Sequence, residues 1–202
     1  MPVITNEKPN QVSLFHWGLI PFWAKDEMTA LQIRQRALNA RSETIFDKPM
    51  IRNSIISKRC LVLVDGFFEW RYVNGKSYPY HIRLNDALPF ALAGIWDRWR
   101  NPDTGNELKT FSVITTEANS VMAQIHNTRK RMPVILSREN ENRWIDNKME
   151  SEEIIQMLKP YDANKMEAYP VDRSIIKLGF NTTNPSAITK KEYEDLPPLT
   201  ED

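Results

Sequence analysis

Apolar residues recur along this chain in short runs cut by turn formers, and those runs predict its elements. Met1 to Gln11 is polar with Pro2 and Pro9 and reads as an extended lead-in. Val12 to Ile20 is a largely apolar run containing Gly18 and stopped by Pro21, the pattern of a strand that ends in a turn. Glu27 to Leu38 has neither glycine nor proline and predicts a helix, and Pro49 to Ser57 predicts a second, shorter one. Cys60 to Val64 reads as a strand stopped at Asp65-Gly66. The Asn74-Gly75 dipeptide predicts a tight hairpin joining Glu69–Tyr72 to Tyr78–Leu84, with His81 a structural member of the second arm.

Four further strands are expected: Pro89 to Trp96, closed by the charged Asp97-Arg98-Trp99-Arg100, then Leu108 to Thr115, Met132 to Leu136 and Glu167 to Val171. Glu139 to Asp146, which carries Trp144, and Glu152 to Leu158 read as packing helices. Strands dominate the middle and do not alternate with helices. This is an α+β pattern, predicting a strongly curved, mostly antiparallel, barrel-like sheet with flanking helices. One domain over residues 1–189 is expected. Phe180 to Pro185 is mostly polar, and the charged tail 190–202, with Pro197-Pro198, is expected to fray.

Composition narrows the class. Of 202 residues, 41% are hydrophobic and 26% charged, which fits a globular protein with a real core. A net charge of +1 excludes a uniformly basic nucleic-acid coat but leaves room for a local basic cleft. One cysteine and three histidines supply neither an internal disulfide nor a zinc cluster, so no metal and no cofactor are expected. Without a membrane-spanning run or signal peptide, the expectation is a cytoplasmic monomer, nucleoid-associated when bound to DNA.

Four places offer chemistry. Phe22-Trp23 sits on a turn, either as a core plug or as a surface on which unpaired bases stack. Asn39-Ala40-Arg41-Ser42-Glu43-Thr44 is dense in donors and acceptors; either it is a turn, or Asn39 and Arg41 share one side of an extended segment and face a phosphate or reacting oxygen. Glu69 lies among Phe67, Phe68 and Trp70, either as the polar face of a strand or as a desolvated acid. His126 follows a helix-like segment and precedes Arg129-Lys130-Arg131, either as a solvated loop residue or as a proton carrier beside a polyanion.

Several ordered strings carry a resemblance. Trp17-Gly18-Leu19-Ile20-Pro21-Phe22-Trp23-Ala24, Asn39-Ala40-Arg41-Ser42-Glu43-Thr44, Asp65-Gly66-Phe67-Phe68-Glu69-Trp70, Ala93-Gly94-Ile95-Trp96, Thr115-Thr116-Glu117-Ala118-Asn119 and Ile125-His126 through Arg131-Met132-Pro133-Val134-Ile135-Leu136 together resemble the SOS-response-associated peptidase (SRAP) family of abasic-site processing proteins. The resemblance covers Trp17 to Leu136 and extends more loosely to Asn184. It implies recognition of abasic sites in single-stranded DNA and, through the amine and thiol of an N-terminal cysteine, a thiazolidine cross-link to the sugar aldehyde, with an associated peptidase activity. It further implies that Asn39, Glu69 and His126 assist that chemistry. Arg41, Trp23, Trp70, Arg129, Lys130 and Arg131 are the DNA contacts expected beside them.

The chain departs from the family pattern at its start. The family begins Met-Cys, whereas this sequence begins Met1-Pro2, and Cys60 has no α-amine beside it. Two explanations stand: the first segment is missing from this sequence, or the thiol is naturally lost and catalysis is impaired. In the second case Pro2, freed of Met1, would offer a secondary amine for a borohydride-trappable iminium, lost on acetylation. The alternatives to covalent processing are a non-covalent single-stranded DNA-binding module and a hydrolase acting on something other than DNA.

Overall fold

Asn74 and Gly75 take φ of 48° and 76°, the left-handed pair that a two-residue hairpin turn demands, and they fold the chain back where the dipeptide predicts. The computed structural model describes residues 1–176 and 184–200, so the polar stretch from Phe180 lies, up to Thr183, outside the described residues. In chain order the strands are β1 (Pro2–Thr5), β2 (Lys8–Leu14), β3 (His16–Trp17), β4 (Asn39–Arg41), β5 (Arg59–Val64), β6 (Phe67–Val73), β7 (Lys76–Leu84), β8 (Phe90–Arg100), β9 (Glu107–Glu117), β10 (Arg131–Pro133) and β11 (Met166–Pro170). The helices are α1 (Glu27–Arg36), α2 (Pro49–Ser57), α3 (Ser120–Ile125), α4 (Arg138–Trp144) and α5 (Ser151–Met157). The α+β class is the one expected. The chain divides into two units.

The first unit comprises residues 1–64, 90–116 and 133–160. Its sheet runs β10-β9-β8-β5-β1-β2, with β3 and β4 added in parallel to β9 while the other pairings recorded are antiparallel. Leu61, Ala91, Ala93, Ile95 and Ile114 from the strands meet Ile51, Ile55, Trp144 and Ile154 from α2, α4 and α5 in one buried core. Arg59 is buried at 1% exposure. Its guanidinium donates to the carbonyls of Ile55, Ile56, Trp144 and Asp146, where α2 and α4 end and carbonyls lack helical partners.

Three local expectations change. The lead-in is the β1–β2 hairpin: Pro2 opens a strand and Pro9 lies on the edge strand, the two places where a missing N–H does no damage. The run Val12–Ile20 does not form one strand: it breaks at Phe15 between β2 and β3, and after β3 Gly18 at φ +99° turns the chain against Arg34, where any side chain would clash. And β8 does not stop at Trp96. Asp97 and Trp99 continue inward while Arg98 and Arg100 face out, a period of two in which the buried Asp97 is neutralised by Lys58.

The second unit comprises residues 65–89, 117–132 and 161–202. It holds the sheet β11-β7-β6, in which β6 is an edge strand among the described residues, together with α3. His81 is buried against Phe68 and Tyr169, bonded to the tyrosine hydroxyl at 3.1 Å, and burial holds its basicity down. Gly66 is glycine because a Cβ there would stand 2.3 Å from the His81 ring. The tail expected to fray is tied along this unit: Lys191 N–H donates to Pro170 O, Asp195 pairs with Lys76, Arg71 donates to Pro197 O, and Thr200 exchanges hydrogen bonds with Gln124.

Candidate functional site

The edge of β6 gathers the acid and the base that the sequence leaves far apart. Phe67, Glu69 and Arg71 share one face of β6, above Ile82, Tyr80 and Tyr78 of β7, while Phe68, Trp70 and Tyr72 take the other. Glu69 is half-buried and turns its carboxylate over the edge, where Oε2 accepts the Trp70 N–H at 3.3 Å. Its other oxygen lies 3.6 Å from Nδ1 of His126. Burial raises the Glu69 carboxyl above the usual glutamate range, and the Trp70 N–H and, whenever the imidazole is protonated, the His126 charge oppose that rise.

His126 is delivered by α3. Asn119 caps that helix, its side chain accepting the Met122 N–H at 2.9 Å and donating to Tyr161 O at 2.8 Å. After the helix the chain curls tightly: the His126 carbonyl accepts N–H groups from both Arg129 and Lys130, and Lys130 sits at φ 50°. The curl returns the Arg131 carbonyl to 2.9 Å from Nδ1 of His126. A carbonyl can only accept, so Nδ1 carries the proton and the neutral ring keeps its lone pair on Nε2. Nε2 is then the nitrogen free to take a proton, while the Glu69 carboxyl lies on the Nδ1 side of the ring.

The remaining expected residues divide between the units. In the first, Asn39 and Arg41 are exposed on either side of buried Ala40 in β4, which places amide and guanidinium on one side of an extended segment, the arrangement the motif suggested rather than a turn. Trp23 and Phe22 are 47% and 58% exposed, so this pair does not plug the core. Their turn is pinned from beneath by Phe22 N–H to Asp97 and by the Trp99 indole to Ala24 O. In the second unit Trp70, Arg129 and Lys130 are exposed and Arg131 is half-buried. Cys60 is fully buried in β5 and burial drives its thiol far above the ordinary range. Among the described residues no group of three or more His, Cys, Asp or Glu side chains is placed to hold a metal, and no helix is long and apolar enough to cross a membrane.

Sequence reasoning missed Asn127. Its side-chain oxygen accepts the Tyr72 N–H at 3.1 Å and its amide donates to Tyr72 O at 2.7 Å, both in the second unit. An asparagine beside a candidate histidine was the signal, but nothing in spacing showed which strand it meets.

A profile of the SOS response associated peptidases (SRAP) matches residues 1–178. The chain belongs to the SRAP family. It is similar to the abasic site processing protein YoqW of Bacillus subtilis, 42% identical over 173 residues that make up 85% of this chain and 74% of the relative. It is also similar to the abasic site processing protein YMR114C of Saccharomyces cerevisiae, 34% identical over 180 residues, 86% of this chain but 45% of that longer protein. Among solved structures, a crystal structure of a Bacteroides thetaiotaomicron protein superposes with a TM-score of 0.89 at 42% identity, covering 95% of this SRAP chain and 81% of that one.

Proposed function

We propose that this SRAP protein processes abasic sites in single-stranded DNA, with Glu69 and His126 handling protons at the sugar aldehyde. The observation that carries the reading is the pair itself: a carboxyl raised by burial, set 3.6 Å from Nδ1 of an imidazole whose bond to Arg131 O leaves the lone pair on Nε2. The amine for such a step would be the secondary amine of Pro2 freed of Met1: adding to the aldehyde it loses its proton, and the carbinolamine that results sheds its hydroxyl as water to leave an iminium. His126 Nε2 accepts the first proton and Glu69 supplies the second. Asn39 and Arg41 bind the substrate oxygen and a phosphate, Trp23 and Trp70 stack on bases, and Arg129, Lys130 and Arg131 meet the strand.

Cys60 is not the thiol of a thiazolidine, since it is sealed in a strand interior. That burial favours a second reading, a non-covalent single-strand binding module using the same exposed aromatic and basic residues. One experiment separates the two. Matched single-stranded oligonucleotides, intact and with one abasic site, are incubated with the protein and reduced with borohydride. Abasic processing predicts a trapped adduct with the abasic strand alone, reduced by Glu69→Gln and by His126→Ala. Equal, salt-sensitive retention of both strands without adduct leaves the binding module, and indifference to DNA defeats both.

A further inference from the structure

The proton-handling pair sits on two different elements, and the Asn127 side chain ties those elements together by two hydrogen bonds to the Tyr72 backbone. We infer that Asn127 is a positioning residue for this pair: its carboxamide docks the His126 loop onto the edge of β6 and so keeps His126 in its Nδ1-protonated form beside Glu69. The inference rests on the proposed role of Glu69 and His126.

The edge explains why an asparagine is needed. Alternate residues of an edge strand present N–H and C=O outward with no neighbouring strand to meet them. Along β6, the outward groups of Tyr72 are taken by Asn127, donor to acceptor and acceptor to donor, as a paired strand would take them. Two residues earlier the outward N–H of Trp70 is taken by Glu69 itself. The same edge therefore fixes the carboxylate through one bond and the histidine loop through two. A carboxamide is the side chain that can both accept and donate at one peptide; aspartate can only accept there and alanine can do neither.

Behind Asn127 the loop closes on the imidazole. With residue 127 anchored, the turn through Arg129 and Lys130 returns Arg131 O to the imidazole. Released from Tyr72, the loop loses the tether that holds that carbonyl against Nδ1. The ring is then free to revert to the Nε2-protonated tautomer, which presents a donor where the reaction needs an acceptor.

Ring nitrogen NMR reads the tautomer directly, and with only His16, His81 and His126 in the sequence the assignment needs one His126→Ala spectrum. The native protein should show neutral His126 protonated on Nδ1. Asn127→Ala should lose that signature, Asn127→Asp should weaken it, and Thr128→Ala, a change at the exposed neighbour, should leave it intact. Borohydride-trapped adduct with an abasic single strand should form on the order of a hundredfold more slowly in Asn127→Ala, as misplacing a reacting group by an ångström does. If Asn127→Ala does not fold, Asn127→Asp carries the comparison. An unchanged His126 tautomer in the folded Asn127 variants overturns the inference. A native protein that shows the tautomer and its Asn127 dependence but forms no adduct overturns the proposed function instead and leaves the positioning intact.

Discussion

His126 holds its Nδ1 2.9 Å from the carbonyl oxygen of Arg131, five residues further along the same loop. Asparagine can imitate that half of an imidazole, because its amide nitrogen falls near the position of Nδ1, whereas glutamine reaches toward Nε2. His126→Asn should therefore keep the bond to Arg131 and lie within about 1 kcal/mol of native stability, as substitutions that spare a buried network do. It should still lose about 10²- to 10⁴-fold in adduct formation, the usual contribution of a positioned acid or base. Denaturant titration and single-turnover trapping test the two halves, and a stable, fully active His126→Asn would remove His126 from the chemistry.

Glu69 gives a pH dependence with a definite sign. Burial raises its carboxyl, so the folded chain binds that proton more tightly than the unfolded one. Stability then falls as pH rises from the ordinary glutamate value through the raised one. Glu69→Gln has no proton to lose. It should melt above the native protein at neutral pH and converge with it below about pH 4, where glutamate is protonated in both states. A native protein that melts higher at neutral pH would mean that attraction to His126 outweighs desolvation.

Lys130 occupies left-handed backbone at φ 50°, which costs an ordinary residue of order 1 kcal/mol and a β-branched one more. The turn needs that geometry because Lys130 N–H reaches the His126 carbonyl at 2.7 Å. Lys130→Gly should be neutral or stabilising by up to about 1 kcal/mol, and Lys130→Val should be destabilising by about 1–2 kcal/mol. If Lys130 also meets a phosphate, Lys130→Gly should bind single strands more weakly while melting no lower, with the slope of log K against log salt shallower by about 0.7. Thermal melts and salt-titrated binding separate backbone from charge.

The residues that could be read ahead of the structure are those whose reasons are local. Asp26 caps α1 and Pro49 opens α2, Asn74-Gly75 dictates a hairpin, and Asn39 and Arg41 fall on one side of a strand by the period of two. What stayed hidden depends on partners remote in sequence. Asp97 looks like a strand terminator until Lys58 is placed beside it, and Arg59 looks like a surface charge until two helix ends surround it. The Glu69–His126 pair belongs to this second kind: the motifs nominate both residues through family likeness, but only the β6 edge, the α3 cap and the Asn127 tether explain why they meet.

The Phe22-Trp23 turn tests whether an exposed aromatic is held ready or merely left outside. Its rigidity comes from below, since Asp97 accepts the Phe22 N–H at 2.9 Å while paired with Lys58, whose ammonium lies 5.4 Å from the centre of the Phe22 ring. Trp23→Ala removes an exposed side chain and should leave the melt unchanged, yet cost about 1–3 kcal/mol in binding to a single strand, the contribution of one stacked base. Asp97→Ala strands the Lys58 charge and frees the turn, so it should lower stability by about 3 kcal/mol and weaken the same binding without touching an exposed ring. Adding Trp23→Ala to Asp97→Ala should then cost less binding than Trp23→Ala alone, because the loosened turn no longer presents the indole. Full additivity in anisotropy titrations at fixed salt would mean that Trp23 acts without the support of Asp97, and unchanged binding in Trp23→Ala would place the strand elsewhere on the protein.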